Sequence, residues 1–516
     1  MALTLARAVD LLGGCGLLRE VIAGGTWTLD ADDVDGDRDP IGAVTYDTRR
    51  VGPRSMLFIK GRFEPRYLDG VDDRGLAAYV AETSYADHTR APGIIVNDVR
   101  RAMSLLAAEF YGRPQEDLTL IGITGTKGKT TTAYFTQAIL NAHSHGRAAL
   151  LSSVDNCLDG RTYRESELTT PESLDLFRMM RDAADNGMRY LIMEVSSQAY
   201  KVERVYGLTF DVGAFLNISP DHISPIEHPT FEDYLYCKRR ITANSRALVL
   251  GADCQHADLI AQDARAARIP TTTFALHDNH HHTPATITAR QLDITHNSCT
   301  IRTRNGSDAT FSLSIDGAFN YANAAAAVCI VHELGVDAED PQSLHAMEKV
   351  RIAGRMEEFS DAQSPTLVIV DYAHNYSSVT ALLDFVQERF GSDDPRITMV
   401  TGAAGNKAYG RREEIVRACE DRIARFVFTS EDTDTEPFED ICRTMLSHVR
   451  NPDVQSEIIL DRTAAVEDAI RNARTHADRR NVVLVIGKGD ERWIKDRNRH
   501  VPYEGDDAIA RRLCTV

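Results

Sequence analysis

The residues from Gly122 to Thr132 read Gly-Ile-Thr-Gly-Thr-Lys-Gly-Lys-Thr-Thr-Thr, types that together suit a chain of phosphates. The apolar run Leu118 to Ile121 precedes them and an amphipathic stretch to Leu140 follows, so strand, glycine loop and helix come in the order a phosphate cradle needs. Backbone N–H groups of such a loop and the positive end of its helix face the anion. Lys129 is placed to reach the terminal phosphates, and the Thr130 hydroxyl to help hold Mg²⁺. The spacing departs from the common Gly-x-x-x-x-Gly-Lys-Ser/Thr pattern, because Ile123 stands five before Gly128 and the glycines fall at 122 and 125. A glycine turn ahead of an ordinary helix is the plain alternative.

Further chemistry sits where other apolar runs end. Tyr190 to Met193 delivers Glu194, followed by Val195-Ser196-Ser197-Gln198, and Ala214 to Leu216 delivers Asn217. Asp221-His222 comes next, and the helical stretch Phe231 to Ile241 carries Lys238. Open α/β sheets bind ligands at the carboxyl ends of their strands. A carboxylate, an imidazole and a threonine hydroxyl make a Mg²⁺ shell, although imidazole is an unusual ligand for so hard a cation, and each alone is more often structural. Past Arg351, four runs end in polar or glycine-rich loops: Asp371-Tyr-Ala-His-Asn375, Gly402-Ala-Ala-Gly405-Asn-Lys407, Thr429-Ser-Glu-Asp432 and Gly487-Lys-Gly489. They predict a second doubly wound sheet with its own ligand-facing edge.

These elements divide the 516 residues into three regions, an α/β chain with a small domain at 1–115, a central nucleotide-binding domain at 116–350 and a third at 351–516. In the first, Asp47-Thr48-Arg49 follows a strand, where it either meets a ligand or makes an ordinary surface turn. Between 251 and 315 the pattern weakens into what reads as a β-rich insert, with a histidine run at 280–282 that lacks carboxylate or cysteine partners and reads as a solvated loop. An alanine-rich helix then runs from Gly317-Ala-Phe-Asn320 to Leu334, stopped by Gly335. The net charge of −18 argues against nucleic-acid or anionic-membrane partners. Nine scattered cysteines without a Cys-x-x-Cys pair fit reduced thiols, and with neither a signal segment nor a membrane span in sight the expectation is a cytoplasmic protein, monomeric and not membrane-inserted.

The set Thr-Gly-Thr-Lys-Gly-Lys-Thr-Thr, Met-Glu-Val-Ser-Ser, Asn-Ile-Ser-Pro-Asp-His, Gly-x-Phe-Asn-x-x-Asn, Gly-Arg-Met-Glu at 354–357, Asp-Tyr-Ala-His-Asn and Gly-Lys-Gly-Asp-Glu at 487–491 resembles the Mur ligases of bacterial cell-wall synthesis. It is most similar to the branch that adds the third residue to UDP-N-acetylmuramoyl-L-alanyl-D-glutamate. The resemblance implies a UDP-sugar domain, a central P-loop-type ATPase and a mobile dinucleotide-fold-like domain that brings the amino acid. It implies ATP on Gly125, Thr126, Lys127, Gly128, Lys129, Thr130 and Thr131, with Asn320, Arg355 and Asp371 also on the nucleotide. Thr130 and Glu194 are then on one Mg²⁺, and His222 and a carbamylated Lys238 on a second, a carbamate giving the anionic oxygens that an ammonium cannot. Thr48, Thr169, Thr170, Ser196 and Arg204 are implied to hold the UDP-muramoyl peptide. The implied reaction transfers the γ-phosphoryl of ATP to the D-glutamate side-chain carboxylate, and an amine attacks the acyl phosphate. Mg²⁺ and Lys129 stabilise the charge, and closure excludes water.

Relatives that add meso-diaminopimelate carry Asp-Asn-Pro-Arg where this chain has Glu431-Asp432-Thr433-Asp434. A carboxylate in place of the arginine repels the distal carboxylate of diaminopimelate and attracts an ammonium, so the expected substrate is L-lysine, then L-ornithine. Arg412 is expected on the amino acid's α-carboxylate, with Asp432, Asp434, Gly487 and Glu491 around it. Tyr376, Gln198 and Asp490 stand where the family commonly has Pro, His and His. Two competing readings are a related amide ligase, such as a folate-extending enzyme, which lacks the Asp-Thr-Arg module, and a non-catalytic nucleotide switch, which has no use for Lys129, Glu194, His222 and Lys238 together.

Overall fold

Apolar side chains alternate between two buried faces along the parallel strands, so helices must cover both sides of each sheet. In Thr119–Thr124, Ile121 and Ile123 enter one apolar cluster while Leu120 enters another. Ile192 parts from Leu191 and Met193 in Tyr190–Glu194 in the same way. The computed structural model, which describes residues 2–224, 227–276, 285–293, 296–302 and 308–514, resolves these faces into three bodies. The histidine run at 280–282 lies outside the described residues.

The first body is a six-stranded sheet. Four parallel strands, Ala43–Thr45, Ser55–Phe58, Leu76–Ala81 and Gly93–Val96, continue into an antiparallel pair, Leu18–Ala23 and Thr26–Thr28. In the central body, seven parallel strands lie in the order Ala148–Leu151, Tyr190–Glu194, Thr119–Thr124, Phe210–Phe215, Ser245–Gly251, Thr271–Leu276 and Ile287–Asp293. Antiparallel ribbons extend it at both edges: Asp155–Cys157 with Tyr163–Glu165 on one side, Ser298–Arg302 with Asp308–Ser312 on the other. The weakly patterned stretch from 251 to 315 is thus not an insert; its strands carry the central sheet outward, and helix Ala257–Ala266 packs on helix Phe231–Ala243 and strand Ser245–Gly251.

The third body has five parallel strands in the order Thr366–Asp371, Asn481–Ile486, Arg396–Thr401, Arg425–Phe428 and Gln455–Ile458, with Glu357–Ser360 antiparallel at the edge. Val368, Val370, Val483 and Val485 face helices Arg462–Arg474 and Asp506–Cys514, while Leu367, Ile369, Leu484 and Ile486 face the helices of residues 376–447. The latter cluster is continuous with one face of the central sheet through the alanine-rich helix Phe319–Glu333, whose small side chains let it lie buried on every side.

Polar contacts also join these two bodies at both edges of the central sheet. The Trp493 indole N–H donates to Glu165 at 3.3 Å, and the Gln291 amide donates to Glu388 at 2.7 Å. Among the described residues no helix is long and apolar enough to cross a membrane.

Candidate functional site

The phosphate loop begins where the buried strand Thr119–Thr124 ends and turns into helix Lys129–Ser144 at Gly128, which has φ +83°. A Cβ there would stand 2.2 Å from Asn323 Oδ1, so only glycine lets the alanine-rich helix approach the loop. Asn323 in turn donates to Asn320 Oδ1 at 2.9 Å. The Lys129 ammonium lies back on its own loop, donating to the carbonyls of Gly125 and Thr126 at 3.1 and 3.3 Å. Burial lowers its pKa, partly offset by Glu194 and Asp221. An arriving polyphosphate supplies stronger acceptors than these carbonyls.

Glu194 is 1% exposed at the end of its strand. Its Oε1 accepts the Ser153 N–H at 2.9 Å, and the Ser153 hydroxyl stands 3.0 Å from that of Thr130. Its Oε2 is buried with no hydrogen-bond partner among the described residues, an anionic oxygen open to a cation. Lys238 points at the same loop, donating to the Gly125 carbonyl at 2.8 Å; burial first, then Lys129, drives its pKa well below the lysine range. The Tyr234 ring lies against both remaining groups, 5.0 Å from Lys238 Nζ and 6.1 Å from the His222 ring. His222 has φ +56°, is half-exposed, and sets Nδ1 3.2 Å from Glu227. Thr130, Glu194 and Lys238 therefore surround one loop, and His222 is linked to it through Tyr234, whose hydroxyl stands 3.0 Å from Thr126 Oγ1. The Thr130 hydroxyl and the unpaired Glu194 carboxylate are hard oxygens that fit Mg²⁺, while His222 and Lys238 present nitrogen.

Beside the loop lies a cavity of about 390 Å³ bounded by both larger bodies. Lys127, Gly128, Thr131 and Asn320 line it from the central body, and Arg355 and Asp371 from the third. The Arg355 guanidinium stacks 4.6 Å over the Tyr372 ring. Asp371 accepts the N–H groups of Met356 and Ala373 at 2.9 and 2.8 Å, while burial raises its pKa. The apolar wall, including Phe274 and Phe319, suits a flat base, and the loop end suits its phosphates.

Asp221 joins the two bodies. It is 7% exposed and accepts from the Asn375 amide at 3.1 Å and from the Arg411 guanidinium, both of the third body. Lys127 Nζ lies 3.8 Å from Asp221 and 3.2 Å from His374 Nε2. Burial lowers the Lys127 pKa to about 7, with Arg411, Lys129 and Arg355 adding repulsion and Asp221 opposing. Asp221, His374, Asn375 and Arg411 were absent from the expected site residues. Asp221, His374 and Asn375 stand in the Asp-His and Asp-Tyr-Ala-His-Asn sequences, Arg411 in neither, and no sequence feature shows that the four converge.

On the other side of the loop, Thr170, Ser196 and Arg204 meet. The Thr170 hydroxyl donates to Glu194 O at 2.9 Å and accepts from Ser196 N at 3.0 Å, and Arg204 donates to Thr170 O at 3.1 Å. Thr169 is the half-buried neighbour. Glu172 binds Arg204 at 2.7 Å and Lys60 of the first body at 2.8 Å. Thr48 sits on the turn Thr48–Arg50 of that body, capped by Asp47.

The acidic stretch after Arg425–Phe428 is largely paired within the chain. Asp432 accepts from Lys488 at 2.8 Å, Asp434 pairs with Lys495 at 2.5 Å, and Glu436 holds Arg412 at 2.7 Å. Glu491 pairs with Lys488 and accepts the Tyr372 hydroxyl at 2.9 Å. Glu431 differs. It is 9% exposed, has no ion pair or side-chain hydrogen bond among the described residues, and lies so close to Gly487 (φ +107°) that a Cβ there would meet its Oε2 at 2.6 Å. Burial raises its pKa.

The Mur ligase middle domain matches residues 123–331, and the Mur ligase glutamate ligase domain matches residues 354–489. A UDP-N-acetylmuramyl-tripeptide synthetase of Bifidobacterium longum (strain NCC 2705) is 63% identical over 514 residues, 99% of each chain. A UDP-N-acetylmuramoyl-L-alanyl-D-glutamate--L-lysine ligase of Enterococcus faecalis (strain ATCC 700802 / V583) is 38% identical over 99% of this chain and 98% of its own. Among solved structures, a UDP-N-acetylmuramoyl-L-alanyl-D-glutamate--2,6-diaminopimelate ligase shares the fold with a TM-score of 0.64 at 21% identity, covering 100% of this chain and 99% of that one.

Proposed function

The chain belongs to the Mur ligase family, and from that premise we propose that it joins L-lysine to the D-glutamate of UDP-N-acetylmuramoyl-L-alanyl-D-glutamate, with hydrolysis of ATP to ADP and phosphate, as a step in peptidoglycan precursor synthesis. The reading assigns residues 1–115 to the UDP-sugar substrate, 116–350 to ATP and 351–516 to the amino acid. It makes the protein a cytoplasmic monomer.

Lys129 and the loop N–H groups bind the phosphates and orient the γ-phosphoryl toward the substrate carboxylate. Thr130, Glu194, His222 and Lys238 are the residues to hold Mg²⁺, which when bound neutralises phosphate charge. Burial favours the neutral Lys238 amine, the form that combines with CO₂ to give a carbamate. Thr170, Ser196 and Arg204 hold the peptide, Arg204 by exchanging Glu172 for a substrate carboxylate. Asp221, reached from both bodies, keeps the cleft closed and water out while the acyl phosphate awaits the amine.

Glu431 carries the choice of amino acid. With Asp434 occupied by Lys495 and Asp432 by Lys488, it is the acid without an ion pair of its own among the described residues, with Arg462, Lys488 and Arg411 acting on it only from further off, and the loop itself carries no arginine for a second carboxylate. Arg412 remains the proposed partner of the α-carboxylate, in competition with Glu436. The experiment is ADP release with ATP, Mg²⁺ and the UDP-muramoyl dipeptide, comparing lysine, ornithine and meso-diaminopimelate. Lysine is expected to support turnover, and Glu431→Gln to raise its KM about 10- to 100-fold, the worth of one hydrogen bond to a charged group. Turnover on diaminopimelate alone overturns the assignment of the amine; no amine-dependent turnover overturns the ligase.

A further inference from the structure

The loop that carries His222 closes on itself through the backbone: Ser224 N donates to His228 O at 2.8 Å, and His228 N donates to His222 O at 3.3 Å. His228 itself is fully buried, and both of its ring nitrogens are engaged. Nδ1 lies 2.6 Å from Asp233 Oδ2, and Nε2 lies 2.9 Å from Ser197 Oγ. Asp233 sits in the first turn of helix Phe231–Ala243, which carries Lys238. Ser197 follows Ser196, the cap of helix Ser197–Lys201. One imidazole therefore ties together three segments that each bring a residue to the site.

The chemistry fixes its state. Asp233 as a carboxylate only accepts, so Nδ1 carries the proton and Nε2 accepts from the Ser197 hydroxyl. Burial favours the neutral ring, and Lys201 Nζ, 2.5 Å from Asp233, holds the carboxylate ionised against its own burial. The order hydroxyl, imidazole, carboxylate is that of a hydrolytic triad, but Ser197 is 4% exposed and has no room for a substrate. His228, Asp233 and Cys237 also place ligand atoms within 4.8 Å of one another, a spacing a metal could use. Lys201 and His228 both already engage Asp233 Oδ2, and both imidazole nitrogens are spent. Neither chemistry explains the cluster, whereas orientation does.

We infer that His228 is a positioning residue that holds the His222 loop and the Lys238 helix against the Ser196 turn, so that the metal-binding groups are preset before nucleotide arrives. The inference rests on the Mg²⁺ reading of Thr130, Glu194, His222 and Lys238. Groups that orient metal ligands from behind are typically worth 10- to 100-fold in metal affinity.

Ser197→Ala cuts one arm of the clasp and Ser197→Thr keeps it; His228→Gln weakens both arms. Three readouts apply: hydrogen exchange of the Ser224 and His228 amides in nucleotide-free protein, Mn²⁺ binding in the presence of a non-hydrolysable ATP analogue by the resonance signal of free Mn²⁺, and the Mg²⁺ dependence of ADP release. Ser197→Ala is expected to speed exchange at those amides and to raise the Mn²⁺ Kd and the half-saturating Mg²⁺ by about tenfold. Turnover returns at high Mg²⁺, and Ser197→Thr restores wild-type values. Unchanged exchange and metal affinity in Ser197→Ala overturn the inference, as does lost turnover at unchanged half-saturation, the mark of simple unfolding. A wild type that binds no Mn²⁺ with nucleotide overturns the metal reading itself, and the exchange data then stand as a separate result on the loop.

Discussion

Removing the Asp506 carboxylate is expected to destabilise the third body more than any surface change, because it strands a buried cation. Arg462 and Asp506 have no exposed side-chain surface. The guanidinium donates to both carboxylate oxygens, Nε at 2.8 Å and Nη2 at 2.7 Å, and reaches Ser430 O at 3.1 Å and Ile486 O at 2.8 Å. Tyr503 donates to Asp506 at 2.6 Å. The two carbonyls belong to the residues just before Glu431 and Gly487, so the pair fixes the ends of two strands where the amino acid is proposed to bind. Asp506→Ala leaves the guanidinium with carbonyls alone, a loss of about 3–5 kcal/mol. At roughly 2–4 °C per kcal/mol for a body of this size, the melting transition falls by about 6–20 °C. The double variant Arg462→Met/Asp506→Leu replaces both charges with apolar groups and should cost less than either single change. Thermal melts give the size, and hydrogen exchange of the Val482–Val485 amides assigns the transition to this sheet, since a chain of several bodies need not melt in one step. A loss under about 1 kcal/mol for Asp506→Ala, the value of an exposed pair, refutes the reasoning. So does a double variant that costs more than either single change.

The phosphate loop gives two further expected outcomes. Gly128→Ala forces a side chain into left-handed backbone and onto Asn323, and ADP affinity by titration calorimetry should fall at least about tenfold, or 1.4 kcal/mol; an unchanged Kd refutes the packing argument. Lys127, with its folded pKa lowered to about 7 from 10.5, binds fewer protons folded than unfolded between those values, so its contribution to stability improves as pH rises through that window. Lys127→Met should therefore stabilise the nucleotide-free protein most below pH 7, with the gain fading toward pH 10.5. Phosphates beside Lys127 raise its pKa again, so nucleotide binding at pH 8 should take up protons, seen as a buffer-dependent calorimetric heat that Lys127→Met removes.

Elements whose cause is local were legible in the sequence. The strand, loop and helix around Gly128 arise from apolar runs and glycine placement, and Glu194 is found by looking to the polar residue that closes a buried strand. Gln455–Ile458 escaped because an edge strand half open to solvent holds Gln, Ser and Glu and shows no apolar run. The 251–315 stretch is β-rich as its residues suggest, but its continuity with the central sheet is hidden because its ribbon strands bury chiefly one face. The larger gap concerns partners. Arg411 and Asn375 meet Asp221 across 190 and 154 residues, and no spacing rule reaches so far. A reading of Asp434 as a free carboxylate could not foresee Lys495, on the antiparallel pair Trp493–Asp496 and Arg499–Pro502, at 2.5 Å. Charge type is written in the sequence; whether a charge is already answered is decided by packing.

The central sheet meets the third body at both edges, through the Asp155–Cys157/Tyr163–Glu165 ribbon at Trp493 and through the parallel strand Ile287–Asp293 at Glu388. A body tethered only by the chain near residue 350 could swing in any direction, whereas one held at both sheet edges, besides the Asp221 contacts and the shared apolar cluster, keeps chiefly the motions that leave these contacts short. The two edge contacts thus stand as stops to any travel of the third body. Each contact is a single exposed hydrogen bond, about 0.5–1.5 kcal/mol, strong enough to choose a direction and weak enough to release. Sheet extensions that add nothing to the site itself thereby set the path along which it is assembled.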